Sequence, residues 1–208
     1  MSIENELKSG NKQDLKTKII AVTKTFPISE IKPLIDHGHL HYGENKVQEA
    51  LEKWTEIKKT NSKIQLHMIG KLQTNKVKFA VQVFDYIHSV DSEKLAKKIS
   101  EEQLKINKKI KIFLQINIGE ENQKSGVNKN NLNSLLSYCN DLNLDVIGLM
   151  CIPPANIDPE NYFNEMKQLN NTLDLTDLSM GMSSDYIKAS QNLATYIRIG
   201  SSIFGKRF

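Results

Sequence analysis

The sequence predicts a single (β/α)8 barrel, in which a closed parallel sheet of eight strands is surrounded by helices. Short apolar segments alternate with segments whose apolar residues recur at helical spacing, and eight such strand segments follow one another along the chain. Each connection is long enough to carry the chain back to a parallel neighbour. No Gly-x-Gly-x-x-Gly motif follows the first strand, which favours the closed barrel over an open doubly wound sheet.

The predicted strands are short apolar runs that end in polar or turn-forming residues. The first contains Ile19 to Val22, which is apolar on both faces, and Pro27 closes the element after Lys24. In chain order, the eight predicted strands are 18–24, 39–43, 63–69, 85–90, 110–118, 144–152, 178–180 and 196–199.

The predicted helices are segments whose apolar residues lie three and four positions apart, as in Leu132, Leu135, Leu136 and Cys139. Ser29 and Asp91 are expected to cap helices, and Gly38 is expected to end one. The chain stops soon after the eighth strand, so the last helix should be short or absent, and the first is similarly curtailed. Residues 1–16 are polar and are expected to form a flexible arm before a barrel domain of residues 17–208.

Composition excludes several classes of protein. Hydrophobic residues make up 39% and charged residues 25% of 208 residues, which fits one globular domain and argues against a disordered or membrane protein. The longest apolar run, residues 146–152, is too short to cross a bilayer, and the N-terminus lacks a signal peptide, so we expect a cytoplasmic protein. The net charge of +4 is spread along the chain and predicts no nucleic-acid binding. Cys139 and Cys151 stand alone, which predicts no metal site and no disulfide.

Polar residues collect where the predicted strands end, and the carboxyl ends of barrel strands are where chemistry takes place. Lys24 follows the first strand and is a candidate Schiff-base lysine, although a lone lysine at a strand end is more often solvated. Other polar residues follow later strands, but each also has a structural explanation as a helix cap, a solvated lysine or a core histidine; they are Asn45, His67, Asn75, His88 and Lys124. The remaining histidines, His37, His39 and His41, are expected at the surface.

The segments after the last two strands resemble phosphate ligands. Ser183 and Ser184 are expected to open a helix, where free backbone N–H groups favour an anion, and Gly200 and Ser201 lie in the loop after strand eight. The loops after strands seven and eight form the recurrent phosphate site of these barrels. A plain N-cap and an ordinary turn are the alternatives. Arg198, near the end of strand eight, needs a partner if it is buried, and a structural carboxylate is one alternative.

The motifs AVTKTFP (21–27), YGENKVQEA (42–50), HMIGKLQTNK (67–76), IHSVDS (87–92), QINIGEENQKSG (115–126), GLMCIPP (148–154), LSMGMSSD (178–185) and RIGSSIFG (198–205) run in order over nearly the whole chain. With these motifs the chain resembles the pyridoxal phosphate (PLP) homeostasis family, small single-barrel proteins that bind PLP. These proteins share their fold with the N-terminal domain of alanine racemases and lack the second domain of those enzymes.

The resemblance implies a set of cofactor-binding residues. Lys24 matches the lysine that holds PLP as a covalent aldimine, and Arg198 matches an arginine that faces the pyridine nitrogen. The implied phosphate contacts are Ser183, Gly200 and Ser201, and the residues implied to lie along or near the ring are Asn45, His67 and Met182. Lys124 matches a lysine that is a candidate second PLP site. The resemblance implies no catalytic residue and no metal.

The implied activity is that of a PLP carrier or regulator without robust catalysis. Arginine does not give up its proton, so opposite the pyridine nitrogen it favours an unprotonated ring, which is a poorer electron sink. No second acid or base is evident on the other side of the cofactor. The implied partners are PLP and the apo-forms of PLP-dependent enzymes, with no membrane or nucleic acid, and the protein is expected to be a monomer. A low-activity racemase and a Schiff-base aldolase remain the alternatives.

Overall fold

The computed structural model describes residues 3–10, 17–121 and 123–205, with the side chains of residues 8–10 left out. Eight parallel strands pair in sequence order, and the last pairs with the first, so the sheet closes into a barrel as predicted. The strands are β1 (Lys18–Val22), β2 (His41–Glu44), β3 (Gln65–Met68), β4 (Tyr86–Val90), β5 (Lys111–Ile116), β6 (Asp145–Cys151), β7 (Asp177–Met182) and β8 (Tyr196–Ile199).

Helices lie on the outside of the barrel, and all of those described except the first and the last connect consecutive strands. They are α1 (Ile3–Gly10), α2 (Ile28–Asp36), α3 (Val47–Thr60), α4 (Val77–Val83), α5 (Glu93–Lys105), α6 (Leu132–Asp141), α7 (Glu160–Thr172), α8 (Tyr186–Gln191) and α9 (Ser201–Phe204), and short 3-10 turns precede α4 and α6. The last helix has only four residues, which confirms the prediction of a short final helix. Among the described residues, no helix combines the length and the apolar character that a membrane span requires.

Three predicted helix starts are wrong. Helix α2 begins one residue before Ser29, with Pro27 at the N-cap, because the extended backbone of Pro27 already brings the chain to the helix start. Ser92, rather than Asp91, precedes α5. After β7, α8 begins only at Tyr186, because the Asp185 carboxylate accepts the Met182 N–H at 2.6 Å and holds residues 182–185 in a turn. Gly38 ends α2 as predicted, with a φ of 91°.

Part of the predicted N-terminal arm is helical. Helix α1 packs against α8, Leu7 is buried there, and the Tyr186 hydroxyl donates a hydrogen bond to the Glu6 carboxylate. Residues 1, 2 and 11–16 of that arm lie outside the described residues.

The barrel has two apolar regions of different size. The larger lies between the sheet and the helices, where Trp54 and Phe163 are among the largest buried side chains. The smaller lies inside the barrel and is formed by Ile20, Tyr86, Phe113, Met150 and Tyr196. These five residues come from five strands, β1 and β8 on one side of the barrel and β4, β5 and β6 on the other, so the barrel is filled and is not a pore.

Candidate functional site

A cavity lies at the carboxyl ends of the strands and encloses about 730 Å³ of space, part of which is open to solvent. Seven of the eight residues that the resemblance implies for the cofactor line it: Lys24, Asn45, Met182, Ser183, Arg198, Gly200 and Ser201. Because these residues come from strand ends far apart in sequence, only the closure of the barrel brings them together.

The turn that carries Lys24 is held in a conformation that its residues rarely adopt. Lys24 comes two residues after the end of β1 and is half-buried, and the next residue, Thr25, has a φ of 70°. Left-handed backbone is unfavourable for a β-branched residue. The Glu49 carboxylate of α3 accepts the Thr25 N–H at 2.5 Å, so a side chain of the neighbouring helix supports the turn.

A buried carboxylate supports the same turn from the other side. Glu44, at the end of β2, is fully buried and accepts hydrogen bonds from Thr23 Oγ1 at 2.7 Å and from Trp54 Nε1 at 3.0 Å. Lys53 Nζ lies 3.3 Å from the same oxygen and donates to the Thr23 carbonyl at 2.8 Å. Burial raises the pKa of Glu44, while its hydrogen bonds and Lys53 act against that rise. The backbone on both sides of Lys24 is therefore anchored to charged side chains.

Arg198 is a buried cation in the wall of the cavity. Its Nη1 donates to Ser179 Oγ and its Nη2 donates to the Cys151 carbonyl, both at 2.8 Å. Within the described residues no carboxylate forms an ion pair with it, so the structural alternative of a carboxylate partner is not observed. Burial lowers the pKa of Arg198, but a guanidinium keeps its proton in proteins. The wall of the cavity therefore contains a positive charge whose hydrogen-bond partners among the described residues are neutral, while the Asp185 carboxylate favours the charge from a greater distance.

The loops after β7 and β8 meet at the cavity. The Gly200 N–H donates to Ser183 Oγ at 3.4 Å, which is a long hydrogen bond, and Ser201 is exposed. Since α8 begins at Tyr186, Ser183 and Ser184 do not open a helix, and the expected contribution of a helix N-terminus at Ser183 is absent. Gly200 and Ser201, which were expected in a loop, are the N-cap and the first residue of the four-residue helix α9. A phosphate at this place would depend on the two hydroxyls and on the backbone at Gly200 and Ser201.

Asn45 and Met182 complete the walls of the cavity. A Cβ atom on Gly70 would approach the backbone oxygen of Asn45 to 2.5 Å, so this position requires glycine. The loop after β3 can therefore pack directly against Asn45. Met182 is the last residue of β7 and presents an apolar side chain next to the polar groups.

His67 does not line the cavity. It is fully buried inside the barrel, where its ring nitrogens contact His41 and His88 at 3.0 and 2.8 Å. Burial, followed by the neighbouring His88 and His41, holds the pKa of His67 well below its usual value. His41, which was expected at the surface, is only partly exposed because it belongs to the same cluster. Residue type alone gave no indication that these histidines touch.

Lys124 lies in the loop after β5 and does not line the cavity. Its Nζ is 2.5 Å from a Glu121 carboxylate oxygen and donates to the Pro153 carbonyl at 3.2 Å. These contacts hold the lysine against its own loop and against the residue that follows β6.

The sequence did not identify the apolar residues of the cavity or Ser179, the polar residue that supports Arg198. The other lining residues are Val22, Phe26, Ile69, Ile152 and Gly205. Phe26 and Ile69 lie close in sequence to predicted site residues, and this proximity was an available clue. Ser179, which supports Arg198, lies inside a strand and has no motif that distinguishes it.

The donor set matches the chemistry of PLP. A half-buried lysine amine suits an aldehyde, the hydroxyls of Ser183 and Ser201 suit a phosphate, and the apolar side chains suit the faces of an aromatic ring. The cationic Arg198 suits an unprotonated ring nitrogen, which accepts a hydrogen bond.

Comparison with known proteins gives consistent results. The family model described as alanine racemase, N-terminal domain, matches residues 5–207. The pyridoxal phosphate homeostasis protein of Aquifex aeolicus (strain VF5) is 38% identical over 200 residues, covering 91% of this chain and 87% of that protein. The protein of the same name from Pasteurella multocida (strain Pm70) is 32% identical over 217 residues, covering 99% of this chain and 93% of that protein.

Solved structures show the same similarity. PipY of Synechococcus elongatus PCC7942, solved without PLP, is 34% identical, has a TM-score of 0.87 and covers 98% of this chain and 100% of that chain. PipY with PLP bound is 33% identical, with a TM-score of 0.85 and the same coverage. Alanine racemase of Clostridium difficile 630 has a TM-score of 0.75 at 16% identity and covers 98% of this chain and 56% of that chain, which shows the fold alone.

Proposed function

The chain belongs to the family of pyridoxal phosphate homeostasis proteins, and we propose that it holds PLP as a Schiff base on Lys24 and takes part in intracellular PLP homeostasis without robust catalysis. The observation that supports this proposal most is the meeting of Lys24, Arg198, Ser183 and Ser201 around one cavity. The bound form of PipY shows that a relative of similar sequence takes up PLP.

Seven residues of the cavity have a role in this proposal. PLP supplies an aldehyde and a conjugated ring that can accept electrons. Lys24 provides the amine, and the anchored backbone of its turn holds that amine towards the cavity. Arg198 donates a hydrogen bond to the ring nitrogen, and Ser183, Ser201 and the loop at Gly200 hold the phosphate. Asn45 and Met182 orient the ring between them.

The proposed lack of robust catalysis follows from the chemistry of Arg198. A permanently charged guanidinium opposite the ring nitrogen does not transfer a proton to it, so the ring is a weak electron sink. In this proposal the protein stores PLP as a cytoplasmic monomer and releases it to apo-forms of PLP-dependent enzymes. A weak racemase remains the second candidate, because alanine racemase shares the fold.

The attachment site is tested by chemical trapping. The purified protein is incubated with PLP, reduced with borohydride and mapped by proteolysis and mass spectrometry. We expect the pyridoxyl group on Lys24, and we expect Lys24→Ala to lower the trapped product to background. Lys32→Ala, which removes an exposed lysine of α2, is the matched control and should leave the product unchanged. A product found only on other lysines would refute the assignment.

The absence of robust catalysis is tested with the PLP-loaded protein. Racemisation and decarboxylation of amino acids are followed by chiral chromatography and by release of carbon dioxide. We expect neither to exceed the rate of free PLP by a large factor. Steady turnover that disappears in Lys24→Ala would favour the racemase.

A further inference from the structure

A chain of hydrogen-bonded side chains crosses the inside of the barrel and ends at Arg198. His41 Nδ1 lies 3.0 Å from His67 Nε2, and His67 Nδ1 lies 2.8 Å from His88 Nε2. His88 Nδ1 lies 2.8 Å from Ser179 Oγ, which accepts a hydrogen bond from Arg198 Nη1 at 2.8 Å. The residues come from β2, β3, β4, β7 and β8, so the chain leads from the first residue of β2, at the base of the barrel, to the cavity wall.

Because Arg198 can act only as a donor, it determines the direction in which the hydrogen bonds along this series of side chains are donated. Arg198 can only donate, so Ser179 Oγ accepts from it and its own hydrogen is available for His88 Nδ1. His88 then carries its hydrogen on Nε2 and donates to His67 Nδ1, and His67 donates from Nε2 to His41 Nδ1. In the opposite direction the buried Ser179 hydroxyl hydrogen would have no acceptor among the described residues, which is unfavourable.

We propose that His41, His67, His88 and Ser179 form a directional hydrogen-bond relay that positions the Arg198 guanidinium in the cavity wall and couples it to the base of the barrel. In this arrangement all three imidazoles are neutral and carry their hydrogen on Nε2. The four residues are positioning residues for Arg198, since the described contacts place none of the three histidines in the cavity lining. Successive donors polarise one another, which makes Ser179 Oγ a better acceptor for the buried cation.

The charged groups around the relay favour neutral imidazoles. Burial, followed by the positive charges of Lys18, His39 and Lys111, lowers the pKa of His41 to about 4. Asp85 acts in the opposite direction. The rings of Tyr86 and Tyr196 face His41 at 6.4 and 5.9 Å between centroids and have no positive charge of their own.

The inner two histidines, His67 and His88, are also disfavoured as cations. Burial comes first for both, and it is followed by His88, His41, Lys18 and Lys58 for His67, whose pKa lies well below its usual value. For His88 the second cause is the charge of Arg198, which lies on the other side of Ser179. Neutral imidazoles are the state that the direction of the relay requires.

Two simpler explanations fit less well. A metal site does not account for the cluster, because no group of three or more His, Cys, Asp or Glu side chains among the described residues is arranged to hold a metal ion. Packing alone explains the stacking of His67 on Tyr86 and of His88 on Phe113, at centroid distances of 4.1 and 4.2 Å. Packing does not explain why every ring nitrogen of these two buried histidines meets a matching polar atom.

The effect on the cofactor rests on the function proposed above, whereas the relay itself does not. Arg198 is the only member of the chain that lines the cavity among the described residues. A change at His41 should therefore reach bound PLP only through Arg198, as a change in the electronic environment of the ring.

The relay is tested in the PLP-free wild-type protein by long-range ¹H–¹⁵N correlation spectra of the histidine rings at neutral pH. We expect His41, His67 and His88 to show neutral rings with the hydrogen on Nε2. A charged ring, or a hydrogen on Nδ1 at any of the three, would overturn the proposal. This measurement needs no variant.

Variants of His41 then test the coupling. His41→Leu removes the terminal acceptor, and we expect the ¹⁵N signals of His88, two residues along the relay, to shift. His41→Asn keeps an acceptor oxygen near the position of Nδ1 and should restore the wild-type signals of His88. The control His37→Leu removes an exposed histidine that follows the last residue of α2, and it should leave the ¹⁵N signals of His88 unchanged. Unchanged His88 signals in His41→Leu would contradict the relay.

The last measurement separates this inference from the proposed function. His41→Leu and His41→Asn are loaded with PLP, and the visible absorption spectrum is recorded. The relay is supported if the visible absorption maximum shifts in His41→Leu and has its wild-type position in His41→Asn. Identical spectra of normal intensity refute the coupling and leave PLP binding intact, whereas wild-type protein that gains no visible band refutes the proposed function.

Discussion

The two ends of the barrel contain similar polar residues and use them differently. At the carboxyl ends of the strands, the side chain of Asn45 and the hydroxyl of Ser201 make no hydrogen bond to another described residue, and both line the cavity. In the interior and at the base, His67, His88 and Ser179 are hydrogen-bonded to one another. These three buried side chains therefore satisfy one another, whereas the mouth keeps hydrogen-bonding capacity available for a ligand.

Arg198 belongs to both regions. Its guanidinium is held from below by Ser179 and by the Cys151 carbonyl, and it also lines the cavity above. The aromatic rings of Tyr86 and Tyr196 close the base, and Lys18 Nζ donates to the Tyr196 hydroxyl at 3.0 Å. The base of the barrel is therefore filled with packed side chains that support Arg198, and the cavity at the mouth is the part that can take up or release a ligand.

The largest expected effect compares two glycines, one in each region. A Cβ atom on Gly148 of β6 would overlap the backbone oxygen of Asp177 at the start of β7, whereas one on Gly200 would meet Val22 at 3.4 Å, an ordinary contact. Gly148→Ala should therefore cost more than about 3 kcal/mol of unfolding free energy, and Gly200→Ala less than about 1. Urea denaturation followed by circular dichroism measures both. Equal losses would mean that base and mouth are packed alike.

The second effect is a loss of stability in acid. The pKa values of His67 and His88 lie well below 6.5 because of burial, so below pH 6.5 the unfolded chain takes up protons that these buried rings do not. Stability is therefore lost as the pH falls, by up to about 1.4 kcal/mol per pH unit for each such histidine. Denaturant midpoints at pH 7 and pH 5.5 measure this loss.

One buried carboxyl group opposes this loss of stability in acid, and one exposed histidine provides a control. Glu44 has a pKa that burial raises, so its contribution to stability increases as the pH falls and reduces the net slope. His37→Gln, which changes an exposed histidine, should show the same pH dependence as the wild type. A level profile between pH 7 and pH 5.5 would contradict neutral histidines in the interior.

The smallest expected effect is at Arg198, where the two regions meet. Arg198→Met replaces a buried cation that has no carboxylate partner among the described residues, so unfolding free energy should fall by no more than about 2 kcal/mol. The affinity for PLP, measured by equilibrium dialysis, should fall about tenfold because a hydrogen bond from a charged group is lost, which corresponds to about 1.4 kcal/mol. A large loss of stability with unchanged affinity for PLP would mean that Arg198 stabilises the barrel and does not bind the cofactor.

Local pattern predicted most of the fold. Strands β5 and β6 are apolar enough to be recognised alone, and the predicted boundaries of the eight strands lie within about two residues of the observed ones. Helix starts were harder, because a cap depends on which side chain reaches which N–H. Asp185, which holds the turn before α8 by accepting the Met182 N–H, is one residue beyond the serines that were expected to open that helix.

Local patterns in the sequence predicted the closed barrel and the strand ends that carry polar residues, and its motifs predicted eight cofactor residues, of which the structure brings seven around the cavity. Only the tertiary structure decided the place of His67, which was expected near the cofactor and lies inside the barrel. The physical reason is that a contact such as His67 to His88 depends on the stagger of neighbouring strands, and no local property of either residue determines that stagger. The same reason applies to Ser179 and Arg198, whose hydrogen bond exists because β7 and β8 pair in this register.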